Sequence, residues 1–216
     1  MIFDFDFAWS ILPQLLRASL VTIEATLAGF AVALVVGMIL TLAKRSEWIW
    51  LRWPAIGFIE FVRSTPLLVQ LYFLYFVLPQ VGITLSPFVT GVIGLGLHYG
   101  CYTAEVYRAG LESVARGQWE AATSLNYGRA QTYFRIILPQ AIPPIIPPLG
   151  NYLIAMFKDT PILAAITLTE LMYTANRIAS EKFLYVEPIT MVGIIFLAMS
   201  LVASYVLRRV EGRFRL

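Results

Sequence analysis

The sequence predicts an all-α membrane protein with about five transmembrane helices, and three observations carry that prediction. Of its 216 residues 59% are hydrophobic and only 13% charged, with a mean hydropathy of +0.74. Soluble domains carry about 45–50% apolar and about 25% charged residues, so this chain lacks the charge to cover a wetted surface, and a soluble globular enzyme is excluded. Apolar runs of bilayer length recur along the chain, and basic residues gather between them. At 24.3 kDa the whole of 1–216 reads as one unit. A single cysteine (Cys101) excludes an internal disulfide framework or a Cys-ligated metal site, and a single histidine (His98) excludes any site needing two imidazoles.

The N-terminal MIFDFDFAWS has two acids and no basic residue. It lacks the positive n-region of a signal peptide and is expected to be retained. The first span covers about 18–43, where twenty-six residues extend roughly 39 Å, enough to cross a core of about 30 Å with tilt. Ala25, Gly29, Ala33 and Gly37 recur in it at four-residue spacing, which predicts close approach of another helix. Lys44 and Arg45 end it, and Trp48, Trp50 and Trp53 follow as interfacial anchors. The second span is expected over about 54–78, the third over about 86–107, the fourth over about 141–157 and the fifth over about 188–207. Between the last two, 161–175 is apolar but too short to cross, and reads as a re-entrant or surface-lying helix. Pro143, Pro144, Pro147 and Pro148 predict repeated kinks in the fourth span.

Placing Lys44, Arg45, Arg52, Arg108, Arg116, Arg129, Arg135, Arg208, Arg209, Arg213 and Arg215 on one side leaves Arg17, Lys158, Arg177 and Lys182 on the other, with Arg63 inside the second span. The excess of basic residues marks the cytoplasmic side, so the N-terminus is expected outside and the C-terminus inside.

The cytoplasmic segment of about 108–135 carries the most specific signal. Local physics predicts a helix over Gln118–Leu125, with Glu120 in its first turn favoured by the helix dipole. Asn126 stands where a left-handed C-cap residue belongs, and Gly128 adds freedom before a second helix from Arg129. Ala121 and Ala122 are small enough to admit a partner backbone. A plain basic loop against headgroups is the alternative, suited by the four arginines of this segment.

The pattern Glu120-Ala121-Ala122, three residues, Asn126, nine residues, Ile136, one residue, Leu138-Pro139 resembles the signature of ABC importer membrane subunits. The departure is Asn126, where the family has Gly. Asparagine tolerates the left-handed conformation, so the departure weakens the match little. FVRSTPLLVQL (61–71), YTAEVYRAGLESVARGQWEAA (102–122) and FKDTPILAAIT (157–167) narrow the likeness to the polar-amino-acid uptake group. LSPFVTGVIGLGLHYG (85–100) and LPQAIPPIIPPLGNY (138–152) look most like subunits importing ectoine or hydroxyectoine. The resemblance implies a MetI-like fold in the bacterial inner membrane and a coupling helix, with Gln118, Trp119, Glu120, Ala121, Ala122, Asn126 and Gly128 seated in an ATPase groove. It also implies the partners: an ABC ATPase dimer, a second permease subunit (sibling or self) and an extracytoplasmic solute-binding protein. ATP and magnesium are then expected in the ATPase, with no cofactor or metal in this chain. Lipid is the remaining partner, and no nucleic acid is expected.

Charged groups inside a span usually face a cavity or a partner. In Arg63-Ser64-Thr65-Pro66 a charge adjoins a helix breaker, and Pro66 frees the carbonyl of Val62, making a polar notch. That reading competes with a packing kink whose Arg63 snorkels to the interface. His98, Tyr102 and Glu105 share one helical face. They offer a solute a carboxylate and aromatic faces; alternatively His98 is a satisfied core residue and Glu105 pairs with Arg108. Lys158-Asp159 presents both charges that a zwitterion needs, or a superficial ion pair. Arg63, Thr65, His98, Tyr102, Glu105, Lys158 and Asp159 are therefore the candidate pathway residues.

The only lysines are Lys44, Lys158 and Lys182, and none follows a glycine, so no P-loop exists and ATP hydrolysis must come from another subunit. His-Glu-x-x-His and Gly-x-Ser-x-Gly are also absent. Two rivals to the importer remain: an ion-gradient carrier using Glu105, disfavoured by the lack of inverted repeats, and a non-transporting scaffold.

Overall fold

The computed structural model describes residues 3–214, and among them every regular element is helical. Arg215 lies outside the described residues, as do Met1, Ile2 and the side chain of Arg213.

The first helix, α1 (Phe5–Lys44), begins well before the expected Ala18. Asp4 caps it by accepting from Phe7 N at 2.9 Å, and Ile11 and Leu15 pack against the last two helices. At 1.5 Å per residue its forty residues extend about 60 Å, twice a bilayer core, so the helix is longer than one crossing needs. The small residues of α1 do what their spacing predicts: Ala25, Gly29, Ala33 and Gly37 are all buried.

The expected single second span is broken. α2 (Ile49–Arg63) and α3 (Leu67–Tyr72), which continues as irregular turns to Val81, meet at 107°. Pro66 is the cause: it is extended (ψ 137°), cannot donate backward, and starts α3 afresh. The third pass, α4 (Pro87–Glu112), is capped by Ser86 Oγ, which accepts from Val89 N. It lies along α1 as the most extensive helix pair in the fold. Thr103 Oγ1 donates to Ala33 O at 2.9 Å and Thr41 Oγ1 to Ala104 O at 3.0 Å, tying the two backbones together.

A short helix α5 (Arg116–Ser124) and one turn of α6 (Arg129–Thr132) lead through a wider π-type turn, Tyr133–Ile137, into α7 (Leu138–Asp159). The four prolines lie inside α7 without ending it. The expected helix over 161–175 is divided: Thr160–Ile166 is a tight 3₁₀ segment, Thr167 is left-handed, and α8 (Leu171–Lys182) follows. Glu170 starts α8 by accepting from Met172 N and Tyr173 N at 2.9 and 2.7 Å. The last helix, α9 (Val186–Phe214), returns across the bundle.

By length and hydropathy alone, α1 and α9 are able to cross a membrane, with α2–α3 and the α6–α8 stretch as bent candidates. The glycine- and tyrosine-rich α4 falls below such a threshold, and its place against α1 and α7 explains how a less apolar helix is tolerated. Two ties give the bundle its ends. Asp4 N donates to Glu187 Oε1 at one end, and Lys44 bonds Glu105 at the other.

Candidate functional site

Two regions carry functional chemistry: the broken second pass with the α4 and α7 side chains near it, and the α5 segment.

At the break, the Val62 carbonyl released by Pro66 accepts from two side chains, the Thr65 hydroxyl at 3.3 Å and the Gln70 amide. Gln70 Nε2 donates to Val62 O at 2.8 Å, Thr65 O at 3.1 Å and Thr65 Oγ1 at 2.8 Å. Gln70 Oε1 then meets His98 Nδ1 at 3.1 Å, joining the break to α4. His98 stands among Tyr99 and Tyr102, with ring centroids 5.5 and 5.3 Å away, and Tyr152 of α7 lies 5.6 Å from Tyr102. The Arg63 guanidinium sits 5.3 Å from the centre of the Tyr102 ring, within cation–π range. From the other end, Tyr99 donates to Asp159 Oδ2 at 2.6 Å. A cation and a carboxylate thus border one wall of aromatic rings.

Arg63, Thr65, His98, Tyr102 and Asp159 therefore come together through Gln70 and Tyr99. Lys158 and Asp159 point apart: Lys158 is exposed, while Asp159 is half-buried against Tyr99. Glu105 is held in an ion network, with Lys44 Nζ at 2.5 Å and Arg108 Nε at 2.9 Å, and Arg108 also bonds Glu112. The i, i+3 pairing with Arg108 is thus present, joined by Lys44 from α1. Glu105 and Arg63 also line an open concavity of about 450 Å³ whose α7 wall includes Pro144 and Pro148. That places two of the four prolines, one turn apart, on its surface.

Gln70, Tyr99 and Tyr152 were not singled out from the sequence. Gln70 carried a signal, since a polar amide four residues beyond a proline in an apolar run suits capture of freed carbonyls. The tyrosines carried none, because a buried aromatic reads as core. Among the described residues, no three His, Cys, Asp or Glu side chains cluster as a metal site.

In the second region α5 ends in a Schellman turn. Asn126 is left-handed (φ 58°), its N–H donates to Thr123 O, and Tyr127 N donates to Ala122 O, both at 3.0 Å. Gly128 caps α6. Ala122 is fully buried in the chain's own packing, and Trp119 turns inward onto Tyr133 at 5.2 Å. Of the two alanines, only Ala121 is left open to a partner. Gln118, Glu120 and Ala121 form the exposed face. Glu120 pairs loosely with Arg116 at 3.4 Å, both exposed, so the pair adds little to stability.

A polar break inside an apolar helical bundle, with a short capped helix presented beyond it, is the arrangement of a transport permease. Residues 33–216 match the model of the binding-protein-dependent transport system inner membrane component. The chain belongs to that family and is an inner-membrane component of such a system. More narrowly, it is an ABC importer permease subunit of MetI-like fold, whose ATPase is a separate subunit.

A probable amino-acid ABC transporter permease of Sinorhizobium fredii is 46% identical, covering 96% of this chain and 90% of that protein. An L-cystine transport system permease of Bacillus subtilis is 36% identical, over 88% of this chain and 83% of its own. The glutamine transport system permease of Escherichia coli is 33% identical over the full length of both. Among solved structures, an amino acid ABC transporter matches with a TM-score of 0.93 at 34% identity, covering 99% of this chain and all of that one. An inward-facing methionine transporter, MetNI, has a TM-score of 0.72 at 16% identity over 99% of this chain and all of that one, a likeness of fold.

Proposed function

We propose that this permease imports an amino acid or an amino-acid-like zwitterion, with ectoine or hydroxyectoine as the favoured solute. One observation carries the reading. Arg63 and Asp159, of opposite charge, border the aromatic wall of His98, Tyr99, Tyr102 and Tyr152, where a carboxylate and a cationic nitrogen of one small solute find complementary ends. The relatives named for amino acids support the zwitterion class. The resemblance of 85–100 and 138–152 to ectoine-importing subunits supports the finer assignment.

The chain pairs with a second permease, a sibling or a copy of itself, and receives solute from a binding protein on the outer face. Its N-terminus is outside, its C-terminus is inside, and the exposed Gln118–Glu120–Ala121 face of α5 docks on one subunit of an ATPase dimer. Closure of that dimer draws the α5 helices together and turns the pathway outward. Each state must make contacts the other lacks for ATP energy to reach the spans.

The test is uptake by proteoliposomes holding the permease, its ATPase and its binding protein, with ATP inside. Radiolabelled ectoine, hydroxyectoine, glutamine and cystine are compared at equal concentration. ATP-dependent ectoine uptake above the other solutes supports the full proposal, and preference for glutamine or cystine removes the ectoine assignment. ATP-dependent uptake of none of the four solutes would overturn the zwitterion class itself.

A further inference from the structure

Gln70 does more than close the break in the second pass. Val62 O and Thr65 O are backbone carbonyl oxygens, which only accept hydrogen bonds. The Gln70 atom facing them at 2.8 and 3.1 Å is therefore its amide nitrogen, and the opposite atom, 3.1 Å from His98 Nδ1, is its carbonyl oxygen. That oxygen also only accepts, so the proton of the contact belongs to Nδ1. A neutral imidazole carries one ring proton, and fixing it on Nδ1 leaves Nε2 with a bare lone pair. Among the described residues, no side chain or backbone group hydrogen-bonds Nε2. The break makes this orientation costly to reverse. Flipping the amide would set its oxygen 2.8 and 3.1 Å from two carbonyl oxygens, which repel it, inside a half-buried site.

We propose that Gln70 is a positioning residue for transport: it fixes His98 as the Nδ1–H tautomer, so that His98 Nε2 accepts an N–H of the passing zwitterion. His98 and Arg63 both stand 5.3 Å from the centre of the Tyr102 ring, so the acceptor for the solute's N–H group and the cation for its carboxylate neighbour the same aromatic ring. An ammonium supplies that N–H in an ordinary amino acid, and an amidinium supplies it in ectoine. Only this last step rests on the zwitterion reading; the tautomer follows from the protein's own hydrogen bonds.

With one histidine in the chain, selective labelling reports on this residue alone. The permease is produced with ring-¹⁵N histidine and a histidine-free affinity tag, assembled with unlabelled ATPase in lipid nanodiscs, and examined by ¹⁵N NMR. The expected spectrum shows Nδ1 protonated and Nε2 bare. A bare Nδ1 with a protonated Nε2 overturns the assignment, and this measurement needs neither a variant nor a solute. In Gln70→Leu the single tautomer should give way to a mixture, and retention of pure Nδ1–H there would show that something other than Gln70 sets it. Saturating ectoine or glutamine should move the Nε2 resonance and leave Nδ1 nearly unchanged. An unmoved Nε2 with a solute that is transported overturns the recognition step while leaving the zwitterion reading intact. In uptake assays Gln70→Leu should raise KM about tenfold, the loss of roughly one hydrogen bond, with little change in maximal rate. A lower rate at unchanged KM would reduce Gln70 to a structural clasp.

Discussion

Replacing Gly37 with alanine should destabilise the permease although alanine is the better helix former. A Cβ at Gly37 would overlap the Thr103 hydroxyl and lie 2.9 Å from Thr103 Cβ and 3.1 Å from Ala104 N. Thr103 cannot simply rotate away, because its hydroxyl donates to Ala33 O across the α1–α4 contact. The helices must separate, weakening that bond and the one from Thr41 to Ala104 O. Overpacking of this kind costs about 1–3 kcal/mol, and each interhelical hydrogen bond in a membrane protein is worth about 0.6 kcal/mol. Alanine returns at most about 1 kcal/mol of helix propensity. The net is about 1–2 kcal/mol, or a Tm lower by about 3–6 °C for a chain of this size. Gly193→Ala is the control, since a Cβ there meets nothing within 4 Å and only the propensity gain remains. Thermal unfolding of the purified complex in detergent, followed by tryptophan fluorescence, reads both variants. Equal Tm values for Gly37→Ala and Gly193→Ala would refute the claim that backbone proximity holds α1 against α4.

Three further outcomes are expected. Glu120→Lys reverses the charge on the exposed face of α5, so solute-stimulated ATP hydrolysis should fall about tenfold or more with the Tm unchanged; normal stimulation would remove α5 from coupling. Asn126→Gly should leave coupling intact, whereas Asn126→Val forces a β-branched residue to φ 58° at about 1–2 kcal/mol and should speed proteolysis after α5; identical digestion patterns would contradict the left-handed cap. At the head of α8, Glu170 accepts from Met172 N and Tyr173 N, and losing such a cap costs about 1 kcal/mol, so Glu170→Ala should quicken amide exchange in the first turn of α8 about fivefold; unchanged exchange would show that the carboxylate does not hold the start of α8.

Much of the site was legible because local chemistry wrote it. Asn126 announced a left-handed cap, and the Schellman turn is there, since a helix end is decided by a few neighbouring residues. Pro66 announced a disturbed helix for the same reason. Its size was not legible: a proline removes one donor, but whether a helix kinks or turns through 107° depends on what receives the freed carbonyl, and here Thr65 and Gln70 do. Helical periodicity placed Glu105 on a face with His98 and Tyr102. Lys44, sixty-one residues away, decided that its carboxylate belongs to an ion network.

The sequence by itself determined the membrane environment, the small-residue seam of α1 and the capped α5 segment. Each of these is set by composition or by residues within a turn or two of one another. Tertiary structure alone decided that Ala122 faces inward while Ala121 faces out, that Lys158 and Asp159 part, that Tyr99 reaches Asp159, and that Gln70 reaches His98. Those outcomes depend on which helices lie side by side, and helix packing joins residues that no local spacing relates.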